Sequence, residues 1–503
     1  VGLAVLVVLQ TQGNSTIKGW RLPHHFPDLF IIGTTERFDD KEIEKLKQIE
    51  GIDPQQVLPM ALKQPGLPEG LVSIVSSTGT MFIGFDPDQA MEMMSFDFRD
   101  AQGEPLDELE QARATMDVAY KLNQKVVTLR DGTVLRGRVN REDKTVRVEH
   151  WEWKRRTVSR GDVAEVSSGI EAVSQPLRKL RHRPMAADRL GSIKLKGGQG
   201  YEGLVDAGLG SYDVWSWESA VREVSATEVK SIQSSRHIIV TDEFRLLKGL
   251  GVGSTLELKT GILPGQREQY TVAAIIWSPG IDVMVAMFGI EEQFEERSAG
   301  SVFGSIEDAR ADFGATTYSL VGVNLNKDLG SREEIVKKVG KALSIRGLTG
   351  GDVRRIKQDI EQTFMEMVNL MSAVALAAIA VASLGVTNAL MASVRTRRWQ
   401  LGILRAVGVT RGEMLRLILA EALLLGLVAA AMGLGAGLLM SINANRLSTI
   451  IFGYGPSIVV PWDTVGIGVA IIIGVALLAS LWPAATAARS QPLALLQSGR
   501  ASM

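Results

Sequence analysis

Three long apolar runs lie close together in the C-terminal part of the chain. The stretches 367–394 and 464–488 contain no charged residue, and Glu421 is the only charged residue in 417–445. A helix of about 20 mostly apolar residues is long enough to cross the hydrocarbon core of a bilayer. One such run could be a buried core helix, but three in succession predict a membrane domain.

The N-terminal segment Val1–Leu9 is also apolar, but it is too short to span a bilayer. The chain does not begin with methionine, so the remnant of a signal peptide is one interpretation. A truncated first transmembrane helix is the favoured one, because the polar residues TQGNST at 11–16 indicate an exit into water.

The short stretch between the first two long runs is rich in arginine. Short loops rich in Lys and Arg stay on the cytoplasmic side, whereas long domains cross the membrane regardless of their charge. The other short loop, 441–461, carries only Arg446. We therefore expect a multi-pass membrane protein with a large domain outside the cytoplasm. The loop arginines are Arg395, Arg397, Arg398, Arg405, Arg411 and Arg416.

The arginine-rich loop also has a helical pattern. Trp399, Ile403 and Val407 recur every four residues, which predicts one apolar stripe on a short helix at the membrane surface. Gly408 is placed to end this helix in a left-handed conformation. Thr410, followed three residues later by a glutamate, predicts a capping box that starts the next helix. The alternative is that the arginines only anchor the loop to anionic headgroups.

The same region carries a family resemblance. Residues 393–437, SVRTRRWQLGILRAVGVTRGEMLRLILAEALLLGLVAAAMGLGAG, resemble the MacB/FtsX-type permease signature E/Q-[IL]-G-[IL]-L-R-A-[LV]-G. The segment WPAATAARSQPLALL, 482–496, is similar to the ending of that family. The segment IIVTDEFRLLKGLGVGSTLEL, 238–258, is similar to the start of the second half of its extracytoplasmic domain.

The resemblance covers residues 1–120 and 232–503, and it is strongest at the C-terminal end. Two positions depart from the family pattern, since Gln400 and Ser254 stand where the family usually has acidic residues.

The resemblance implies the permease subunit of a mechanotransmission-type ABC transporter in the bacterial inner membrane. Such a permease works as a dimer with a second copy or a paralogue. The resemblance also implies a cytoplasmic ABC ATPase that docks on a coupling helix in the arginine-rich loop. Carried over position by position, the ATPase contact falls on Arg395, Arg397, Arg398, Trp399, Leu401, Gly402, Ile403, Leu404, Arg405 and Gly408.

The chain itself offers no catalytic chemistry. It has no G-x-x-x-x-G-K-[ST] phosphate loop, so ATP and Mg²⁺ would be bound by the ATPase, and we expect no cofactor in this chain. Its five histidines are scattered and it has no cysteine, so no metal site is expected. The net charge of −1 gives no electrostatic reason to expect nucleic acid as a partner.

Several functions remain open within the family. Export or release of a hydrophobic or envelope substrate, such as a lipoprotein, is the favoured one, with a periplasmic adaptor as a further candidate partner in efflux. The alternatives are a non-transporting signalling protein that regulates a cell-wall hydrolase and a structural receptor that binds envelope polymer.

The third apolar run contains two further candidate features. Ala429, Gly433 and Gly437 recur every four residues and predict a face for close helix packing, either within the chain or between two copies. Glu421 is an acid inside a membrane helix, which is a functional candidate by default. It could instead be solvated or paired with Arg416.

The segment 351–366 precedes the second span without a Gly or Pro break. Ile356, Ile360 and Phe364 form one apolar stripe there. We interpret this segment as a stalk helix continuous with the span, the alternative being an ordinary amphipathic helix beside the membrane.

An internal repeat interrupts the predicted extracytoplasmic domain. Residues 126–166 align without gaps on residues 192–232, at a shift of 66. Alternating apolar residues and glycine turns predict short strands, interpreted as two SH3-like β-barrels. The repeat's tryptophans are either core or a binding groove, and the basic run Lys154–Arg156 is either an anion-binding face or a guarded strand edge.

The sequence therefore predicts an α+β membrane protein. It would have a four-span helical membrane domain, with the first span truncated, and a large mixed α/β extracytoplasmic domain carrying inserted small β-barrel modules. The expected segments are the first transmembrane helix (1–12), the first half of the extracytoplasmic domain (13–120), the inserted modules (121–231), the second half (232–350), the stalk (351–366), transmembrane helix 2 (367–394), the coupling loop (395–416), transmembrane helix 3 (417–440), the outer loop (441–461), transmembrane helix 4 (462–488) and the cytoplasmic tail (489–503).

Overall fold

The chain folds into two compact units. In this computed structural model the helical unit comprises Val1–Arg21, Lys357–Thr449 and Gly455–Met503, and the α/β unit comprises Leu22–Ile356 and Ile450–Tyr454. The residues that the structure describes are 2–19, 25–33, 37–67, 79–260, 266–277, 298–326, 332–342, 348–351, 353–452, 458–460 and 462–489.

Helices dominate the helical unit and flank the sheets of the α/β unit. The described α-helices are α1 (Gly2–Gly19), α2 (Asp40–Lys47), α3 (Pro87–Met93), α4 (Glu108–Leu122), α5 (Gln175–Arg178), α6 (Pro184–Ala187), α7 (Asp242–Lys248), α8 (Ile306–Phe313), α9 (Arg332–Ala342), α10 (Val353–Thr396), α11 (Arg398–Ala406), α12 (Arg411–Phe452) and α13 (Trp462–Arg489).

The strands all belong to the α/β unit. They are β1 (Leu29–Gly33), β2 (Ile52–Lys63), β3 (Gly79–Phe85), β4 (Phe98–Arg99), β5 (Lys125–Leu129), β6 (Val134–Arg141), β7 (Thr145–Ser159), β8 (Val163–Ser168), β9 (Leu190–Leu195), β10 (Gly200–Ala207), β11 (Ser211–Ser225), β12 (Val229–Ser234), β13 (His237–Thr241), β14 (Thr255–Lys259), β15 (Arg267–Ile276), β16 (Ser298–Ser305), β17 (Leu320–Leu325) and β18 (Leu348–Gly351).

A ten-stranded mixed sheet forms the framework of the α/β unit. Nine strands follow the order β14-β15-β13-β16-β3-β2-β17-β1-β18, and β4 pairs with β15. The pairs β13–β15 and β16–β3 are parallel, and the other pairs are antiparallel. Buried aromatic and aliphatic side chains such as Phe82, Phe303 and Tyr270 fill the cores on this sheet.

Carboxylate and hydroxyl caps start the helices that cover this sheet. Asp39 and Asp107 each form a complete capping box with a glutamate three residues later, and Asp86 accepts hydrogen bonds from two backbone amides of α3. Such caps satisfy amides at the helix N-terminus that have no partner within the helix. They fix where α2, α3 and α4 begin.

The internal repeat forms a second, eight-stranded sheet in the order β12-β5-β6-β7-β11-β10-β9-β8. Its two longest strands, β7 and β11, pair along their whole length with Glu152 opposite Glu218 at the centre. These two glutamates are also equivalent positions of the repeat. The sheet is therefore pseudo-symmetric about this pair.

The last strand of each repeat copy pairs with the first strand of the other copy. β12 lies on β5, with Ile232 opposite Val127, and β8 lies on β9, with Val166 opposite Ile193. The repeat thus does form strands, but in one continuous sheet with exchanged ends. The prediction of two separate small barrels is not confirmed.

Equivalent glycines shape the same turn in both copies. Gly132 between β5 and β6 has φ 88°, and Gly198 between β9 and β10 has φ 85°. Residues with a Cβ rarely adopt this conformation, so glycine is the natural choice there.

The tryptophans of the repeat belong to a core rather than an open groove. Trp217 is buried and stacks on Trp151 with 6.0 Å between ring centroids, and Trp153 lies 5.1 Å from the same ring. The indole N–H of Trp153 donates to the carbonyl of Arg113 in α4 at 3.1 Å. The cluster therefore joins the repeat sheet to α4.

The basic run Lys154–Arg156 lies on the part of β7 that follows Glu149, where the pairing with β6 ends and β11 is the one described strand partner. This part of β7 is therefore a local strand edge, in agreement with the guarded-edge interpretation. Its charges pair across the strands, with Arg155 2.8 Å from Asp213 and Arg156 paired with Glu218.

Three helices of the helical unit contain stretches that are long and apolar enough to cross a membrane. These stretches are Glu361–Val381 in α10, Arg411–Leu447 in α12 and Val465–Thr486 in α13, and α1 contains the shorter apolar stretch Leu3–Gly13. The four-span count therefore stays a prediction. α12 extends to Phe452, so much of the segment expected as an outer loop is helical.

The stalk segment is helical from Val353 onward, and α10 runs without a break to Thr396. The side chains of the predicted stripe Ile356, Ile360 and Phe364 lie outside the described residues.

Candidate functional site

The arginine-rich loop folds into the short helix α11, which lies between the long helices α10 and α12. It follows Thr396 after a single residue, and the amide of Leu401 donates to the carbonyl of Arg397 at 3.0 Å. At its other end Gly408 has φ 109°, and the amide of Val409 donates to the carbonyl of Leu404 at 3.1 Å. The predicted glycine end of this helix is confirmed.

The helix that follows begins with the predicted capping box. The amide of Thr410 donates to the Glu413 carboxylate at 2.8 Å, and the amide of Glu413 donates to the Thr410 hydroxyl at 3.3 Å. The two features therefore give α11 a defined end and α12 a defined start.

One face of α11 is buried against the helices of the same unit. Leu401 is 8% exposed and packs with Met414, Ile418 and Ala484. Gly402 beside it is also buried. These contacts attach the short helix to the start of α12 and the end of α13, so Leu401 is a packing residue and is not available to a partner.

The opposite face of α11 is apolar and exposed. Trp399 is 54% exposed, Ile403 38%, Leu404 40% and Val407 81%. The predicted stripe of Trp399, Ile403 and Val407 therefore exists, and the described residues leave it exposed. Large apolar side chains grouped on a surface mark a site for a partner or a lipid surface.

An ion pair holds the corner where α10 meets α11. The guanidinium of Arg397 lies 3.2 Å from the carboxylate of Glu421 in α12. The suggested pairing of Glu421 with Arg416 is therefore wrong. Residues five apart on a helix do not share a face, whereas the preceding corner brings Arg397 within reach. Arg405 lies at the other end of α11, and the side chains of Arg395 and Arg398 lie outside the described residues.

The small-residue face of α12 packs within the chain. A Cβ on Gly433 would lie 3.1 Å from Leu3, and one on Gly437 would lie 2.8 Å from Val7 and 3.0 Å from the carbonyl of Ala4. These glycines therefore seat α1, and the intramolecular alternative is correct for them. Ala429 is exposed instead, which corrects its assignment to this face.

The polar end of α1 is buried in the helical unit, so the expected exit into water is wrong for its residues. The side chain of Gln10 donates to the Ser372 hydroxyl at 2.8 Å, and that of Gln12 donates to the carbonyl of Ser441 at 2.8 Å. Ser15 accepts from the amide of Val459, also at 2.8 Å. The three bonds tie α1 to α10, to α12 and to the segment before α13.

These three residues, Gln10, Gln12 and Ser15, form what we name the α1 clamp. Sequence reasoning missed it because polar residues after an apolar run normally signal the membrane surface. In the described part of the chain, no group of three His, Cys, Asp or Glu side chains is placed to hold a metal ion.

The sequence of this region is similar to that of known proteins. Residues 372–492, which include α11 and most of the apolar helices, match the family FtsX-like permease C-terminal. A stretch of 144 residues is 29% identical to the macrolide export ATP-binding/permease protein MacB of Sodalis glossinidius (strain morsitans), covering 29% of this chain and 21% of that protein.

The same named protein from two other bacteria is similar over shorter stretches. That of Neisseria gonorrhoeae (strain ATCC 700825 / FA 1090) is 34% identical over 94 residues, 19% of this chain and 15% of the relative. That of Shewanella sp. (strain ANA-3) is 36% identical over 87 residues, 17% of this chain and 13% of the relative. The aligned part thus spans about a fifth or less of each relative's length.

Proposed function

We propose that this chain, which carries an FtsX-like permease domain of the MacB/FtsX type in residues 372–492, is the permease subunit of an ABC transporter. A cytoplasmic ABC ATPase would bind ATP and Mg²⁺, and this chain would convert the resulting movement into work on a hydrophobic or envelope substrate such as a lipoprotein.

The observation that carries this proposal is the two-sided character of α11. Leu401 and Gly402 attach one face to α12 and α13, while Trp399, Ile403 and Val407 leave the other face apolar and uncovered. A helix that is fixed on one side and uncovered on the other suits the contact with an ATPase. The exposed stripe would be the docking surface, and the loop arginines would add charge around it.

The attachments of α11 would pass a push from the ATPase into the membrane helices. α11 is held through the Leu401 packing and through the Arg397–Glu421 ion pair, and its C-terminal end is closed by the turn at Gly408. A displacement of α11 would therefore move α12 and α13 as a body, as in other rigid-body transitions. α10 follows the same corner and continues toward the α/β unit in sequence.

The arrangement that we propose has four spans, with α1 as the first. α1 is seated on Gly433 and Gly437 and bonded through its clamp to three other segments. The positive-inside rule then places α11 in the cytoplasm and the α/β unit outside. A dimer of two such chains, or of this chain with a paralogue, and contact with a periplasmic adaptor belong to the same proposal.

The test is a charge substitution on the exposed stripe. Trp399→Glu combined with Val407→Glu should leave the protein in the membrane but lower the ATPase activity that purifies with the full-length protein by at least about tenfold, because each charge costs more than 1.4 kcal/mol at an apolar contact. Gln400→Glu is the matched control, since it adds a charge to an exposed position of the same helix.

Unchanged association of the ATPase with the double variant would contradict the docking assignment. The substrate is tested separately with the complex in vesicles. ATP-dependent release of a lipoprotein or a hydrophobic compound supports transport, whereas ATP-dependent activation of a cell-wall hydrolase without such release would replace transport by signalling.

A further inference from the structure

The segment that joins the two repeat copies is docked on the main sheet's helices. This linker runs from 169 to 189, between β8 and β9, and contains α5, the turn Lys179–His182 and α6. Leu177 and Leu180 within it are buried. The linker is therefore part of the fold of the α/β unit.

Basic residues of the linker contact α3 and the residues after it. Lys179 lies 2.6 Å from Asp88, and Arg181 lies 2.6 Å from Glu92. The guanidinium of Arg183 donates to the carbonyl of Phe96 at 2.5 Å. Four linker side chains form what we name the basic latch: Lys179, Arg181, His182 and Arg183.

Asp88 is the hub of these contacts. Besides Lys179, it accepts from Arg138 of β6 at 2.9 Å and from Asn123 after α4 at 3.0 Å. Burial acts to raise the pKa of Asp88, but the charges of Arg138 and Lys179 together outweigh it and lower that pKa below its ordinary value. Asp88 therefore stays ionised at acidic pH, so its ion pair with Lys179 of the latch persists there.

His182 is the one latch residue whose geometry requires the neutral form. Its ring stacks on His25 with 3.9 Å between centroids and 5° between planes. The Nε of Arg181 donates to its Nε2 at 2.9 Å, and only an unprotonated nitrogen can accept. His25 belongs to the segment that leads into β1, and its carbonyl accepts from the amide of Ser95.

Burial and the two nearest positive neighbours oppose the protonation of His182. It faces His25 from the N-terminal segment and Arg181 from its own turn. The other charged groups of the latch and of the elements packed against it are Lys179, Arg183, Asp88, Glu92, Asp97 and Glu108. Burial, then His25, then Arg181 lower the pKa of His182 to about 4.

We propose that the linker is an acid-released latch: protonation of His182 between His25 and Arg181 breaks the ring stack and the Arg181 hydrogen bond, and the linker then leaves α3. The ligand that controls the docking of the linker is the proton. The released linker would loosen the repeat sheet from the helices of the main sheet, because it connects β8 to β9.

The direction follows from linkage. The docked His182 has a lower pKa than a released one, for which about 6.5 is ordinary, so the released state binds more protons. Docking is therefore strongest above pH 6.5, weakens as the pH falls from 6.5 to 4, and changes little below that. Between pH 8 and pH 4.5 the ratio of released to docked molecules should rise by more than about tenfold.

The experiment uses the absence of cysteine from the chain. A single Leu180→Cys thiol, at a position fully buried under the latch, reports release through its labelling by a dipyridyl disulfide in the full-length protein. Leu209→Cys, at a fully exposed hairpin position, corrects at each pH for the chemistry of the thiol. The ratio of the two labelling rates should rise by more than about tenfold from pH 8 to pH 4.5.

Variants assign the effect to His182. His182→Gln keeps an acceptor for Arg181 but does not titrate, and His182→Phe keeps an aromatic ring. Each variant should reduce the rise in the labelling ratio to less than about threefold, which is the contribution left for other titrating groups. His237 is a second buried histidine whose pKa is lowered, to about 4, by burial and then by Lys121 and Arg136. His237→Gln should keep the full rise.

Three results would overturn the proposal. They are a labelling ratio that does not change with pH, a rise that is equally large in both His182 variants, and a position 180 that is labelled as fast as position 209 at pH 8. The last result would show that the linker is not docked at all.

Discussion

Two regions of the helical unit invert the usual distribution of polarity. On α11 the apolar side chains of Trp399 and Val407 face outward, whereas at the end of α1 the polar side chains of Gln10 and Ser15 are turned inward. The difference lies in their partners. The α1 clamp is satisfied by hydrogen bonds inside the chain, while no residue in the described ranges covers the α11 stripe.

A buried polar side chain or an exposed apolar one can be interpreted only once its contacts are known. Buried polar groups that are paired fix the position of one helix against others. An exposed apolar stripe that is rigidly held instead marks a surface for another molecule. We therefore interpret the first region as internal architecture and the second as an interface.

The largest expected effect is on the seat of α1. Gly437→Leu would place a side chain against Val7 and the carbonyl of Ala4, where a Cβ alone already comes within 3.0 Å. We expect a loss of stability of at least about 3 kcal/mol, measured by thermal unfolding in detergent. Gly435→Leu is the control, because a Cβ at Gly435 meets no atom within 4 Å. Equal unfolding temperatures for the two variants would show that α1 does not pack there.

The second prediction separates the two faces of α11. Leu401→Glu buries a charge against Met414 and Ile418 and should destabilise the helical unit by about 3 kcal/mol. Ile403→Glu adds the same charge on the exposed face and should change stability by less than about 0.5 kcal/mol. Thermal unfolding of both variants in the absence of the ATPase is the measurement. Similar destabilisation by both would remove the distinction between the two faces.

The third prediction tests the α1 clamp. Gln10→Leu should destabilise the protein by about 1 kcal/mol, because the Ser372 hydroxyl loses its donor. A double-mutant cycle with Ser372→Ala should give a coupling energy of about 0.6 kcal/mol, typical of hydrogen bonds between membrane helices. Strict additivity of the two substitutions would mean that the two side chains do not interact.

The smallest effect is expected at the corner ion pair. Arg397 and Glu421 are both substantially exposed, so Glu421→Gln should cost at most about 0.5 kcal/mol in unfolding experiments. Its influence should appear instead in coupling, as a lower ratio of substrate released to ATP hydrolysed by the complex. A stability loss above about 2 kcal/mol would show that this pair supports the fold itself.

Local features of the site were predictable from the sequence. The Thr410–Glu413 capping box and the left-handed Gly408 depend on residues that are neighbours in the chain, and both are present. The alternation of apolar and exposed residues on α11 is equally local.

Features that depend on a neighbouring element were not predictable in the same way. Small residues recur at several positions of α12, and only the place of α1 decides that Gly433 and Gly437 are covered while Ala429 is exposed. Arg397 reaches Glu421 because a corner lies between them, which no helical spacing reveals.

The repeat shows the same limit for strands. Both copies carry the same alternation, so β5 fits β8 of its own copy as well as β12 of the other copy in sequence terms. Each end strand could pair with the equivalent strand of either copy. The linker and the long β7–β11 pair decide which copy supplies the partner, and both are features of the assembled sheet.

The exchanged end strands of the eight-stranded sheet constrain how the repeat can evolve. A duplicated segment is usually free to be lost again, since the surviving copy can stand alone. Here the last strand of each copy pairs with the first strand of the other copy. Deleting either copy would therefore leave the remaining copy without these partner strands. Once the ends had crossed, loss of either copy would require the two end strands of the surviving copy to pair with each other.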